Sequence, residues 1–159
     1  MNIKLICVGS IKETFYRDAI NEYLKRMIPF ANIQILEVQE YRLPHKPSNA
    51  QIEDGLAKEA EAMMKHIHAL DKVIVLDRLG KMVTSEDLSI ELEKDMTMGR
   101  STFAYIIGSS YGLSEIIQKR ANELMSLSHM TFPHQLVRLI LLEQLYRAFK
   151  IMNHETYHK

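Results

Sequence analysis

The chain has 159 residues, 47% of them hydrophobic and 25% charged, as expected for one ordinary globular domain with a sizeable core. Its 20 basic and 20 acidic residues cancel, which argues against a general charge-driven coat for nucleic acid but leaves room for a local basic patch. Cys7 is the only cysteine, so no internal disulfide can form; this fits a reducing cytoplasm, and neither a signal-peptide pattern nor a run of ~18 apolar residues is present.

"IKLICVG" (3–9) is apolar and β-branched and ends in Gly9, which predicts a buried strand. Residues 13–28 carry Phe15, Ala19, Ile20, Tyr23, Leu24 and Met27 on one stripe, the pattern of an amphipathic helix. "NIQILEVQ" (32–39) alternates like a half-buried strand, and "YRLPHKPSN" (41–49), with two prolines, reads as a loop. A charged helix is expected at 49–69 and a short apolar strand at "KVIVLD" (72–77). Thr84 with Asp87 three residues on is a capping-box pattern opening a helix at 85–97. "STFAYIIG" (101–108) predicts another apolar strand, and Ser114 caps a short helix after it. "ELMSLS" (123–128) makes a fifth strand, and a closing helix covers 133–152. This alternation predicts a single α/β domain over 1–159, a parallel sheet with helices on both faces.

In such sheets ligands collect at the carboxyl ends of the strands. Three of those ends are unusual: Leu76-Asp77 before a glycine-containing loop, the turn "GSSYG" (108–112), and the hydroxyl-rich stretch "SLSHMTFPHQ" (126–135) in front of a very apolar helix. The last stretch reads as a pocket wall. "GSSYG" also matches the G-x-S-x-G elbow of serine hydrolases, with Ser110 as nucleophile, His129 as base and Glu123 as orienter. A turn that permits close backbone approach is the simpler reading, since no HGGG-like oxyanion segment accompanies it. His66 and His68 lie two apart on the expected helix and face apart, so no metal site is expected. A cofactor-free dimeric binding module is a third possibility.

Three blocks, "VIVLDRLGKMVTSEDL", "YIIGSSYGLS" and "LSHMTFPHQLVRLILLEQLYRAFKIMNHETYHK", closely resemble the bacterial ribosomal RNA large subunit methyltransferase H family, of the SPOUT class. The resemblance spans essentially the whole chain. It implies a SPOUT-type α/β fold with a C-terminal trefoil knot, a rare exception to the rule against threaded chains. It also implies a homodimeric enzyme that uses S-adenosyl-L-methionine to methylate N3 of a pseudouridine in 23S rRNA, with the assembled ribosome as substrate. The family usually has a second glycine where this chain has Ser109, so the turn must close around a Cβ.

The resemblance places the cofactor against Leu76, Gly108 and the segment Leu127, Ser128, His129, Met130, Thr131 and Phe132, with Met130 and Phe132 as apolar walls. It assigns Tyr157, His158 and Lys159 to catalysis or substrate placement. From Arg138 onward four Lys and Arg stand against two acids, a local basic bias that fits contact with one RNA loop. Leu136, Val137, Leu139, Ile140, Leu141, Leu142 and Leu145 cover too much of the last helix for one sheet face, so a partner subunit is expected to cover the rest.

Overall fold

The computed structural model describes residues 1–157. The elements are β1 (Asn2–Val8), α1 (Thr14–Met27), β2 (Asn32–Val38), α2 (Asn49–Met64), β3 (Lys72–Met82), α3 (Ser85–Thr97), β4 (Thr102–Ile107), α4 (Glu115–Arg120), β5 (Glu123–Ser126) and α5 (His134–Met152). Every strand pairing is parallel and the order across the sheet is β2-β1-β4-β3-β5. All carboxyl ends therefore open on one edge of the domain.

The period-2 alternation of the strands divides the core. Ile3, Leu5 and Cys7 of β1, with Phe103, Tyr105 and Ile107 of β4, pack under residues of α1, α3 and α5. Ile6 and Val8, with Ala104 and Ile106, turn to the opposite face, where Ala60 and Met63 of α2 and Ile117 of α4 cover them. β1 and β4 are apolar on both sides because they lie inside the sheet. β2 lies at its edge and keeps the half-exposed alternation expected of it.

Two capping boxes open helices. Thr84 and Asp87 exchange the predicted bonds at the start of α3, at 3.0 and 3.1 Å. Ser48 and Gln51 do the same for α2, a box the sequence reading passed over. α2 stops at Met64, short of the expected 69. Side chains from elsewhere capture the carbonyls beyond its end: Lys4 takes that of His66 at 3.0 Å and Arg120 that of His68 at 2.8 Å.

β3 departs most from expectation. Leu76 pairs with Met125 of β5, residues 77–80 then bulge out of register, and pairing resumes at Lys81 with the same Met125. The Asp77 carboxylate accepts the Leu79 N–H at 2.8 Å and closes the excursion as a local turn. Gly80 lets the strand return: a Cβ there would stand 2.6 Å from the Leu124 carbonyl carbon.

Candidate active site

A cavity of about 540 Å³ opens where β3, β4 and β5 end, within the size range of small-molecule sites. Leu76, Gly108, Leu127, Ser128, Met130, Thr131 and Phe132 line it, so three strand ends widely separated in sequence meet as expected. His129 is exposed and is not among the lining residues. The excursion contributes Asp77, at the strand end marked in the sequence, together with Arg78 and Leu79, which carried no mark of their own. Their only signal was the glycine that follows a short apolar strand.

The turn after β4 closes tightly. The Gly112 N–H donates to the Ser109 carbonyl at 2.9 Å, and Gly112 takes the left-handed corner at φ 94°. Ser109 is buried, so the Cβ that departs from the family pattern is accommodated inside the turn. The demand at Gly108 differs from the one anticipated. A Cβ there would meet the Gly112 carbonyl oxygen at 2.5 Å and the Leu113 side chain at 2.6 Å, so the turn itself, not an approaching ligand, requires glycine.

The stretch after β5 is tied down by its own hydroxyls. The buried Ser126 hydroxyl reaches the carbonyls of Arg78 (3.2 Å) and Ser128 (3.0 Å), joining this loop to the β3 excursion. The Ser128 hydroxyl accepts the Met130 N–H at 3.0 Å. Met130 is 72% exposed at the rim, which rules out a core role for it. Ser126 and Ser128 thus commit their hydroxyls to nearby backbone, and Leu127, Met130 and Phe132 bring apolar side chains to the cavity.

α5 starts at the cavity, with His134 and Val137 on its wall. Burial holds the His134 imidazole below its ordinary pKa, with nearby Arg138 acting in the same sense and Glu40 opposing them. At neutral pH the ring is therefore uncharged. Arg138, counted above toward a basic RNA-facing bias, is only 1% exposed. Its guanidinium donates to Glu37 at 2.6 Å and to the carbonyls of Gly9 (2.7 Å) and Val8 (3.2 Å), pinning α5 to the ends of β1 and β2. It is a structural anchor, and the solvent-facing basic bias is smaller by one charge.

The hydrolase constellation does not assemble. Ser110 stands at the carboxyl edge of the sheet, whereas Glu123 begins β5 at the opposite edge and pairs with Lys72 at 3.2 Å. Among the described residues no group of three or more His, Cys, Asp or Glu could hold a metal ion, and no helix is long and apolar enough to cross a membrane.

The tail is ordered as far as it is described. His154 takes a left-handed φ of 54° and turns the chain back after α5. Tyr157 then packs edge-on against Tyr146 at 5.0 Å, lies under the Arg147 guanidinium at 4.7 Å and donates its hydroxyl to Glu143 at 3.0 Å. Tyr146 follows Val137 by nine residues of helix, about 14 Å at 1.5 Å per residue. Tyr157 therefore lies far along α5 from its own chain's cavity. His158 and Lys159, the other two tail assignments, lie outside the described residues.

Solved structures of similar fold include a probable methylase family protein from Haemophilus influenzae Rd KW20 (TM-score 0.53, 12% identity, 99% of this chain and 70% of that one). Another is a methylase family protein from Neisseria gonorrhoeae (TM-score 0.52, 14% identity, 91% and 81%). At those identities they speak for the fold alone. A protein of Methanococcus maripaludis, named "Putative ribosomal RNA large subunit methyltransferase H", is 47% identical over 159 residues, the whole of both chains. Residues 1–158 match the family described as "Predicted SPOUT methyltransferase", and with a cavity built from the three strand ends that the sequence singled out, the chain belongs to the SPOUT methyltransferases.

Proposed function

We propose that the protein methylates N3 of a pseudouridine in 23S rRNA of the assembled ribosome, using S-adenosyl-L-methionine. The observation that carries this reading is the cavity: three loops offer backbone groups and apolar walls around about 540 Å³, with an uncharged His134 beside them. Such a lining suits adenine and a sulfonium: apolar side chains can flank the base, and the one guanidinium among the lining residues, Arg78, is exposed and has the Asp77 carboxylate beside it in the chain. Family membership and the name of the archaeal relative support the same chemistry. When bound, the cofactor supplies an electrophilic methyl group; Leu76, Gly108, Leu127, Ser128, Met130, Thr131, Phe132 and Val137 would hold it. The shared cavity of the loops after β3, β4 and β5 is also what a C-terminal segment threaded into a trefoil knot requires.

The chain's remaining task is to align the imide nitrogen, take its proton and stabilise charge on the flanking carbonyls. Tyr157, His158 and Lys159 are the groups we assign to it. Because Tyr157 lies away from its own cavity, the tail is read as serving the cavity of a second subunit across a two-fold axis. The outward stripe of α5 supports that arrangement, with half-buried Leu136, Leu139 and Ile140 near the cavity and Glu143 and Arg147 near the tail.

The structure separates two positions on that stripe's boundary. Leu141 is fully buried inside its own subunit, so Leu141→Glu is expected to unfold the chain. Half-buried Ile140 faces outward, and Ile140→Glu should leave a folded monomer without methylation activity. A dimeric, fully active Ile140→Glu protein in light scattering would refute the interface. The function is tested by mass spectrometry of 23S rRNA from a deletion strain, which should lack one methyl group that the restored gene returns. Intact methylation in the deletion strain, with no uptake of S-adenosylmethionine by the pure protein in calorimetry, would overturn it.

A further inference from the structure

Resting on that functional reading, we infer that a second cavity, at the ends of β1 and β2, is a stacking site for an unpaired rRNA nucleotide next to the one methylated. This cavity, of about 680 Å³, adjoins the first: Tyr111 lines both. β1 separates β2 from β4, so the two strand ends lie about 10 Å apart at ordinary strand spacing. Adjacent nucleotides of a splayed strand span such a distance.

The second cavity is built around one ring. Tyr41 stays 38% exposed, yet three residues of α2 fix it. Buried Glu59 accepts its backbone N–H at 2.9 Å. Gly55 makes room beneath the ring, since a Cβ there would stand 2.8 Å from the Tyr41 Cδ1. Lys58 donates to the phenol oxygen at 3.1 Å and places its ammonium 4.5 Å from the ring centroid. A tyrosine on a proline-containing loop ordinarily reorients freely. Holding one this firmly while leaving its surface open prepares it for contact at low entropic cost.

The charges around it suit a nucleotide better than a protein side chain. Lys12 and Arg42 line the cavity and can meet phosphate. Of the two carboxylates there, Glu37 is bound by Arg138 at 2.6 Å, and Glu40 is left to accept a base N–H. With Glu37 neutralised by Arg138, Lys12 and Arg42 exceed Glu40 by only one charge, so affinity must come mainly from the aromatic faces of Tyr41 and Tyr111, as in sequence-tolerant binding of single strands.

The test measures methylation of purified ribosomes by the full-length enzyme, together with calorimetry of S-adenosylmethionine. Tyr41→Leu, which keeps apolar bulk but has no π face, should raise the KM for ribosomes on the order of 10- to 100-fold. Cofactor affinity should stay unchanged, and Tyr41→Phe should behave like wild type although it lacks the Lys58 bond. Wild-type KM in Tyr41→Leu, with wild-type methylation normal, would overturn this site and leave the enzyme's function standing. Equal losses in the Leu and Phe variants would also overturn it, by showing a role in folding the loop. A wild-type enzyme that binds cofactor but methylates no ribosomal RNA would remove the underlying function and this site with it.

Discussion

Arg138→Ala should lower the stability of the protein by about 3 kcal/mol and weaken cofactor binding at least about tenfold, the largest loss expected from any single polar side chain here. The Val8 carbonyl, in a buried bond, and the Gly9 carbonyl, in a part-buried one, accept from its guanidinium, and a carbonyl left buried without a donor bears a desolvation cost. Glu37 is 38% exposed and can hydrate once its partner is gone, which keeps the loss below that of a wholly buried pair. The effect on the cofactor follows from position. Val137, one residue before the anchor, lines the cavity, and releasing α5 from β1 lets that wall move. Arg138→Lys should recover only part of the stability, since an ammonium is a point charge and cannot replace the planar fork. Urea unfolding gives the stability and calorimetry the affinity; an unchanged midpoint in Arg138→Ala would show that the contacts contribute nothing net.

Removal of His158 and Lys159 should reduce methylation of ribosomes by about 100-fold or more, the usual contribution of a positioned acid–base group, with fold and cofactor affinity retained. Removing Tyr157 as well should add a stability loss of about 1 kcal/mol, because its ring and hydroxyl are engaged with Tyr146, Arg147 and Glu143. A tail that follows the last helix suggests few such contacts; the left-handed turn at His154 creates them. If His158 takes the N3 proton, the deficit of His158→Ala should shrink at higher pH, where more of the imide is already ionised. The two-subunit arrangement has its own test. Mixed dimers of a tail-deleted subunit and a Gly108→Val subunit should regain activity, since one intact cavity then meets one intact tail. Inactive mixed dimers would mean that each tail serves its own cavity, and full activity after truncation would make the tail a spectator.

The parts of this molecule legible in the sequence are those set by neighbours in the chain. Apolar runs marked β1 and β4, an alternating run marked the edge strand β2, and the Thr84–Asp87 spacing marked the start of α3. The strand ends that form the first cavity followed from the parallel arrangement together with the resemblance. What was misread depends on partners far away in sequence. Arg138 is 130 residues from Val8, and nothing in "LVRLIL" distinguishes a buried guanidinium from a solvated one. The triad reading, already the weaker one in the sequence, fails because Glu123 sits at the wrong edge of the sheet. The apolar circumference of α5 is explained mostly by α1 and α3, which flank it within the same subunit, and less by a partner than its composition suggests. Tyr41 gave no signal, because its role depends on a glycine and a glutamate of α2, well removed from the loop.

The central place of β1 has a bearing on synthesis. The strand leaves the ribosome first, yet one of its two neighbours, β4, begins at Thr102, and the helix that seals its inner face ends at Met152. At about 5–20 residues per second, β1 waits on the order of 5–20 s with an open hydrogen-bonding edge. α1 can cover part of its apolar underside early, but the rest stays open until α3 and α5 emerge. Folding around β1 is therefore completed only once α5 has emerged. Shortened chains that end before α5 should accordingly be lost to aggregation or proteolysis, even though they carry all five strands.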